Sequence, residues 1–342
     1  MRRCGSFAIG NRRIGSGEQV FVIAEVGINH YGDAALCARM IEAAAKAGAD
    51  AVKLQTIDAD ESYVVGTDSY KEFSGKELGD AAMADMMQLA ERLNVVLFST
   101  PGDFPSLERM VRIGMPAVKI SSGLLTNQPL IVEAAKHKLP LIISTGMAYE
   151  NEIASAINHA LNNGAPGVAV LKCTALYPAP DKTLNLSTIP LMAERFGVPI
   201  GYSDHTLDDL ACVSAVALGA VVVEKHFTLD SKLPGADHRI SMEPEPFAHM
   251  VGQIRRLEAM RGDGAIKPVA AEEEMRLQRH RCLIARTDIA EGELFTCKNV
   301  ALKRPLPGHH GLAPDQYELI LGRVAKRLLR NDEPITRDAV GD

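Results

Sequence analysis

Two histidines close consecutive strand-like runs: IGYSDH ends on His205 and VVVEKH on His226. If those runs are neighbours, their imidazoles can reach one divalent ion, and neutral imidazole suits Mn, Fe, Co or Zn better than Mg. A single histidine would be read as a core or cap residue; the pairing on one face makes ligation the reading. No third His or Cys stands beside them, which leaves positions for water and substrate, as Lewis-acid catalysis requires. Asp204 and Glu224 are read as further ligands or as groups that orient the rings.

Other run ends carry charge. Glu25 and Glu224 bring carboxylates, Lys53, Lys119, Lys172 and Lys225 bring ammonium groups, and Ser99, Thr100, Ser121, Ser122, Ser144, Thr145, Thr174 and Ser203 bring hydroxyls. Buried ammonium groups are costly unless they face anions, and here they outnumber the carboxylates. The set therefore predicts a pocket for a small phosphorylated acid, whose oxygens need many donors. The plainer reading is that some lysines, Lys225 foremost, turn outward between strand and helix. Glu25 is the leading acid/base candidate, through burial beside lysines and a metal, and an ion pair with Lys53 is compatible with that role. His30, in the loop after Glu25, reads as a solvated loop residue.

Positioning these groups calls for eight strands. The runs VFVIAE, AVKLQ, VVLFST, AVKISS, LIISTG, VAVLKCT, IGYSDH and VVVEKH end at Glu25, Gln55, Thr100, Ser122, Thr145, Thr174, His205 and His226. Amphipathic segments such as ALCARMIEAAAKAGA and SLERMVRIG lie between them, several closed by Gly or Asn. Eight alternations predict an α/β fold, a (β/α)8 TIM barrel, whose strand ends converge on one functional face. An open doubly wound sheet is the alternative, but no Gly-rich dinucleotide fingerprint supports it. Side-chain alternation sets Lys53 and Gln55 on one face and Leu54 on the other. The expected organisation is a barrel at 1–260, a polar Gly- and Pro-containing linker at 261–278, and a small β-rich module at 279–342, with runs CLIA, ELFT, VALK and RVAKRLL.

The 342 residues carry a net charge of −6 and no block of Lys or Arg, which argues against nucleic-acid or anionic-membrane partners. No apolar run approaches membrane-spanning length and no h-region follows the basic start, so a cytoplasmic protein is expected. Cys4, Cys37, Cys173, Cys212, Cys282 and Cys297 are scattered and read as reduced thiols. With no Trp and 5% aromatic residues, specificity must come from polar groups rather than from stacking platforms.

The motifs IAEVGINHYGD, AGADAVKLQT, FSTP, VKISSG, ISTGM, CTALYPAP, YSDHTLDDLACVSAVALGA and EKHFTLDSKLPGADHRISMEP occur in that order. On them the chain resembles the sialic acid (N-acetylneuraminate) synthase family, which includes legionaminic and pseudaminic acid synthases. The stretch from RCLIARTDIAEGE to RVAKRLLRNDEPI is similar to that family's antifreeze-like (SAF, β-clip) domain. The resemblance implies a metal-dependent condensation of phosphoenolpyruvate with an N-acetylated mannosamine-type sugar. It makes His205 and His226 ligands of a divalent cation, usually Mn2+, with Mg2+ or Co2+ as alternatives. Glu25, Lys53 and Lys119 become catalytic, while Thr100, Ser122, Ser144 and Ser203 join the lysines around phosphoenolpyruvate. Gln55, Tyr177 and Asp237 would contact the sugar. Arg304, from the partner subunit of a domain-swapped homodimer, would read the N-acetyl group.

Three departures from the family pattern bear on these implications. Leu124 stands where family members commonly carry Glu, Ala175 stands where Asn or Ser usually precedes YPAP, and PLPGHHGLAP lengthens the turn after Arg304. They imply lost polar contacts and a divergent acceptor. The PGADHR segment is closer to N-acetylneuraminate or legionaminate synthases than to pseudaminate synthases. A ulosonate synthase acting on an aldose phosphate and a non-catalytic ligand-binding barrel are the competing readings.

Overall fold

The computed structural model describes residues 5–342, so Cys4 lies outside the described residues. The other five cysteines are free thiols. The chain divides into two compact units, Met1–Gly262 and Asp263–Asp342.

The first unit opens with a hairpin, β1 (Phe7–Ile9) and β2 (Arg12–Ile14), followed by eight parallel strands: β3 (Phe21–Gly27), β4 (Ala51–Thr56), β5 (Val96–Pro101), β6 (Val118–Ile120), β7 (Leu141–Ser144), β8 (Val168–Cys173), β9 (Ile200–Asp204) and β10 (Val222–His226). They close into a barrel in chain order, with β10 returning to β3. All eight strand ends read from the sequence fall within about two residues of the observed ones. In β6 the strand stops at Ile120, and Ser122–Leu124 forms a single 3-10 turn instead.

Nearly every strand residue is buried, because one face looks into the barrel and the other lies under the helices. The outer layer packs Val52, Leu54, Val118, Ile120 and Ile143 against helix residues such as Met40, Ile41, Leu107, Met110 and Ile131. Local signals start and stop the helices. Asp33 accepts from the amides of Ala35 and Leu36 to begin helix Ala34–Lys46, and Gly114, at φ 85°, ends helix Phe104–Ile113.

The β1–β2 hairpin closes the end of the barrel opposite the strand C-termini. Phe7, Ile9 and Ile14 form one apolar cluster with the inward-facing Phe21, Ile23, Phe98, Ile142 and Leu171. Gly167 lies directly beneath this plug: a Cβ there would come 2.2 Å from Phe7 Cγ. Gly167→Ala is therefore expected to displace Phe7 and to destabilise the unit by about 1–3 kcal/mol in chemical denaturation.

The second unit contains the antiparallel pair β11 (Cys282–Ala285) and β12 (Val300–Lys303). The expected runs ELFT and RVAKRLL contribute single bridges, Leu294 with Val324 and Ile289 with Leu329, rather than continuous strands. Leu283, Ile289, Phe295, Val300, Leu329 and Ile335 form its core. Within the segment expected as a plain polar linker, Ala270–Arg279 is helical. Its sequence AAEEEMRLQR is rich in strong helix formers, and the Glu272 side chain accepts from the Val269 amide at its start. Among the described residues no helix is long and apolar enough to cross a membrane.

Candidate active site

Two buried ion pairs occupy the mouth of the barrel. Glu25 Oε2 on β3 lies 2.5 Å from Lys53 Nζ on β4, and Lys53 also donates to Thr100 Oγ1 on β5 at 3.0 Å. Lys119 on β6 spans the interior to donate to Glu224 Oε1 on β10 at 2.8 Å. Ser203 on β9 donates to the same oxygen at 3.0 Å. All four charged residues are at most 5% exposed. Gln55 Nε2 reaches Glu25 Oε1 at 3.3 Å. A register shift between Glu25 and Gly27, with Gly27 at φ 57°, bends β3 at this point and aims Glu25 into the mouth.

The electrostatics separate the two carboxylates. Burial pushes Glu25 up to about 7; Lys53 pulls it back in part, while Glu224 adds to the rise. Burial also acts to raise Glu224, but Lys119 and Lys53 outweigh it and hold the group at about 2. Burial lowers Lys119, opposed by Glu224. One carboxylate is thus permanently ionised and the other is poised near neutrality, the pattern of a site with distinct proton roles.

His205 and His226 lie at the same mouth, their ring centroids 5.4 Å apart. Tyr177 covers both, 4.1 Å from the His205 ring and edge-on at 6.1 Å to His226. His205 Nδ1 sits 2.7 Å from the Thr174 carbonyl, which fixes that nitrogen as the donor and leaves Nε2 as the lone-pair atom. His226 Nδ1 is buried without a hydrogen-bond partner, with Asp237 Oδ2 at 3.9 Å. Burial, then His205 and Lys53, push His226 well below its usual value, so its imidazole is neutral. Zinc-like bonds to imidazole nitrogen are about 2.0–2.1 Å, so rings this close can share one ion. Among the described residues no group of three or more His, Cys, Asp or Glu side chains converges as a metal cage. Two imidazoles at one mouth, one with an orphaned nitrogen, fit a cation held mostly open to other ligands.

Further polar atoms wait for partners: Gln55 Oε1, Ser144 Oγ, Asn29 Oδ1 and Glu224 Oε2 are buried without a hydrogen bond. Each such orphan costs on the order of 1–3 kcal/mol, a sign that the cavity is built for a polar occupant. Ser122 Oγ accepts from the Gly146 amide at 3.0 Å and faces Cys173 Sγ at 3.6 Å. Arg304 belongs to the second unit, just past β12, with its side chain exposed.

Several expectations are corrected. Lys225 turns outward, in line with the plainer reading, and joins Asp204, one of the candidate ligands, in a buried pair at 2.5 Å, so neither stands in the mouth. Lys172 also points away, donating to the Cys173 carbonyl at 2.9 Å and Thr174 Oγ1 at 3.3 Å. Glu224 holds Lys119 and Ser203 rather than standing as a metal ligand. His30 is not solvated: it is 1% exposed, accepts from the Gly32 amide through Nδ1, and burial lowers it to about 4. Its loop folds down over the barrel, tied by Asn29 Nδ2 to the Phe227 carbonyl and Ser241 Oγ. Leu124, in the turn after β6, is half-buried and packs against the apolar cluster outside the strands. Cys173, Asn29 and Tyr31, which stacks on His238, were not singled out from the sequence. For Cys173 the signal existed, since alternation on β8 sends it inward once Lys172 faces out.

Residues 40–266 match the NeuB family, and residues 280–340 match the SAF domain. The chain belongs to the NeuB family. This NeuB chain is 36% identical over 334 residues to the N,N'-diacetyllegionaminic acid synthase of Campylobacter jejuni, covering 93% of this chain and 99% of that one. It is 34% identical over 326 residues to the pseudaminic acid synthase of the same species, covering 91% and 93%. Among solved structures, the N-acetylneuraminic acid synthetase of Leptospira borgpetersenii in complex with citrate is 34% identical, with a TM-score of 0.77, covering 80% of this NeuB chain and 95% of that chain.

Proposed function

We propose that the protein joins phosphoenolpyruvate to an N-acetylated mannosamine-type sugar, giving a nonulosonic acid of N-acetylneuraminate or legionaminate type and inorganic phosphate. The observation that carries this reading is the pair of buried lysines facing two histidines in one closed mouth. NeuB membership and relatives that make legionaminic, pseudaminic and sialic acids support it.

Lys53 and Lys119, with Thr100, Ser122, Ser144 and Ser203, hold the carboxylate and phosphate of phosphoenolpyruvate. Gln55, Tyr177 and Asp237 hold the sugar, and the Asp237 carboxylate beside His226 faces its polar groups. His205 and His226 would hold a divalent cation, Mn2+ by preference, which would supply Lewis-acid polarisation of the sugar aldehyde. C3 of phosphoenolpyruvate attacks the aldehyde carbon, forming the C–C bond and leaving a cation at C2. Glu25 takes a proton from the water that adds to C2 and passes it to the alkoxide left on the former aldehyde carbon. The tetrahedral intermediate then expels phosphate by C–O cleavage, and the C2 hydroxyl proton leaves with the phosphate as the ketone forms. Holding both reactants in one mouth provides much of the acceleration.

Only two lysines remain on the mouth side of the strand ends, because Lys172 and Lys225 turn away. That supply suits one phosphorylated acid and an unphosphorylated sugar, and disfavours an aldose phosphate acceptor. In the same reading the chain forms a domain-swapped homodimer, with Arg304 of the partner subunit at the N-acetyl group. The five free thiols accord with a reducing cytoplasm.

A panel of 2-acetamido sugars and their 6-phosphates, assayed with phosphoenolpyruvate and Mn2+ for phosphate release, tests the proposal. Turnover is expected on an unphosphorylated mannosamine-type sugar; none on any acceptor would overturn it. Glu25 acts as a base only when ionised, so the rate is expected to rise with pH through about 7, and Glu25→Gln to abolish that limb. Stability runs the other way. A carboxyl raised from 4.5 to about 7 favours the fold fully below 4.5, and that contribution is lost as pH climbs through about 7.

A further inference from the structure

Behind the two histidines, on the outer face of the barrel, lies a second set of buried charges that the reaction does not use. Lys225 is 1% exposed, and all of its donor capacity is spent. Nζ donates to Asp204 Oδ2 at 2.5 Å, to the Thr206 carbonyl at 2.5 Å and to the Asp208 carbonyl at 3.0 Å. Asp204 is as fully engaged. Its Oδ1 accepts from Tyr202 Oη at 3.0 Å and the Thr206 amide at 3.1 Å, and its Oδ2 from Thr206 Oγ1 at 2.8 Å and Cys212 Sγ at 3.4 Å.

The sequence positions give this web its meaning. Asp204 immediately precedes His205 and Lys225 immediately precedes His226, and the two are register partners on β9 and β10. Alternation turns the charged pair out as it turns the imidazoles in. A single ammonium group therefore binds the residues on both sides of His205, Asp204 by its carboxylate and Thr206 by its carbonyl, while its own backbone leads directly into His226. The histidine on the other strand end has no comparable freedom to shift without breaking these bonds.

We infer that the Asp204–Lys225 pair is a positioning device that sets the spacing of His205 and His226 for one shared cation. This inference rests on the metal reading proposed above. A buried ion pair contributes little net stability compared with apolar residues of similar volume, so its retention here finds its reason in geometry.

The test is Mn2+ binding to the full chain, measured from the loss of the free-ion paramagnetic resonance signal, beside phosphoenolpyruvate binding by calorimetry without metal. The double variant Asp204→Leu/Lys225→Met replaces the pair by apolar side chains and is expected to fold. It should bind Mn2+ about tenfold or more weakly, with phosphoenolpyruvate affinity within about threefold of the parent, since Lys53 and Lys119 stand on other strands. A purely structural role would leave Mn2+ affinity unchanged in the folded variant, and that result overturns the inference. Should the double variant not fold, Thr206→Val, which removes only the hydroxyl on Asp204, is expected to weaken Mn2+ by about threefold; parent-like affinity there overturns it equally. His205→Ala/His226→Ala should abolish the binding. Retention of Mn2+ in that variant overturns the metal reading itself, a result distinct from failure of the positioning role.

Discussion

His226→Ala is expected to lower kcat/KM by about a thousandfold or more, near 4 kcal/mol of transition-state stabilisation, with little change in folding stability. The ring sits at the mouth with Nδ1 making no hydrogen bond, so its removal breaks no network that holds the barrel together. The loss should be one of chemistry rather than of binding: phosphoenolpyruvate affinity, which the proposed reading assigns to Lys53 and Lys119, should hold while turnover falls. Steady-state kinetics with saturating Mn2+ and a thermal melt on the same protein check both halves. A variant that keeps a tenth of parental turnover would mean that the two imidazoles do not act on the reacting aldehyde.

Lys119→Met has the other large expected effect, and it strikes both stability and binding. It leaves Glu224 buried, with Ser203 as its remaining hydrogen-bond donor, and removing one partner of a buried pair costs about 3–5 kcal/mol. It also strips one of two cations from the anion pocket, so KM for phosphoenolpyruvate should rise by about a hundredfold or more. The double variant Lys119→Met/Glu224→Leu separates the two losses. It should recover most of the stability and none of the affinity, as read by denaturant unfolding and calorimetry. Recovery of affinity together with stability would show that Lys119 serves only to neutralise Glu224.

How much of this was legible in the sequence follows from which interactions are local. Eight β-branched runs with polar ends declare the barrel, and period-2 alternation sets Lys53 and Gln55 on one face with Leu54 on the other. Where alternation was applied strictly it succeeded. Lys225 was ambiguous because a lysine and a histidine side by side cannot both face inward, and only the position of Asp204 on the adjacent strand resolves which one does. His30 was misjudged because loop residues are normally solvated, whereas here Asn29 fastens the loop to Phe227 and Ser241, nearly two hundred residues or more away. The end of β6 was read two residues late because Ser121 and Ser122 continue the polar strand-end pattern, whereas Ser122–Leu124 forms a 3-10 turn. The β1–β2 hairpin left no clear pattern, being only three residues per strand.

That hairpin has a kinetic consequence. Among the described residues, Phe7, Ile9 and Ile14 fill one end of the barrel, which leaves the opposite, strand-end mouth as the way in. Lys53 sits one inward step below Gln55 on β4, so in the proposed reading an ammonium group for phosphoenolpyruvate lies beneath an amide for the sugar. Traffic through one opening is then last in, first out. In the proposed reading the acid is expected to load before the sugar, and initial-rate kinetics should show the acceptor, at high concentration, inhibiting its own condensation.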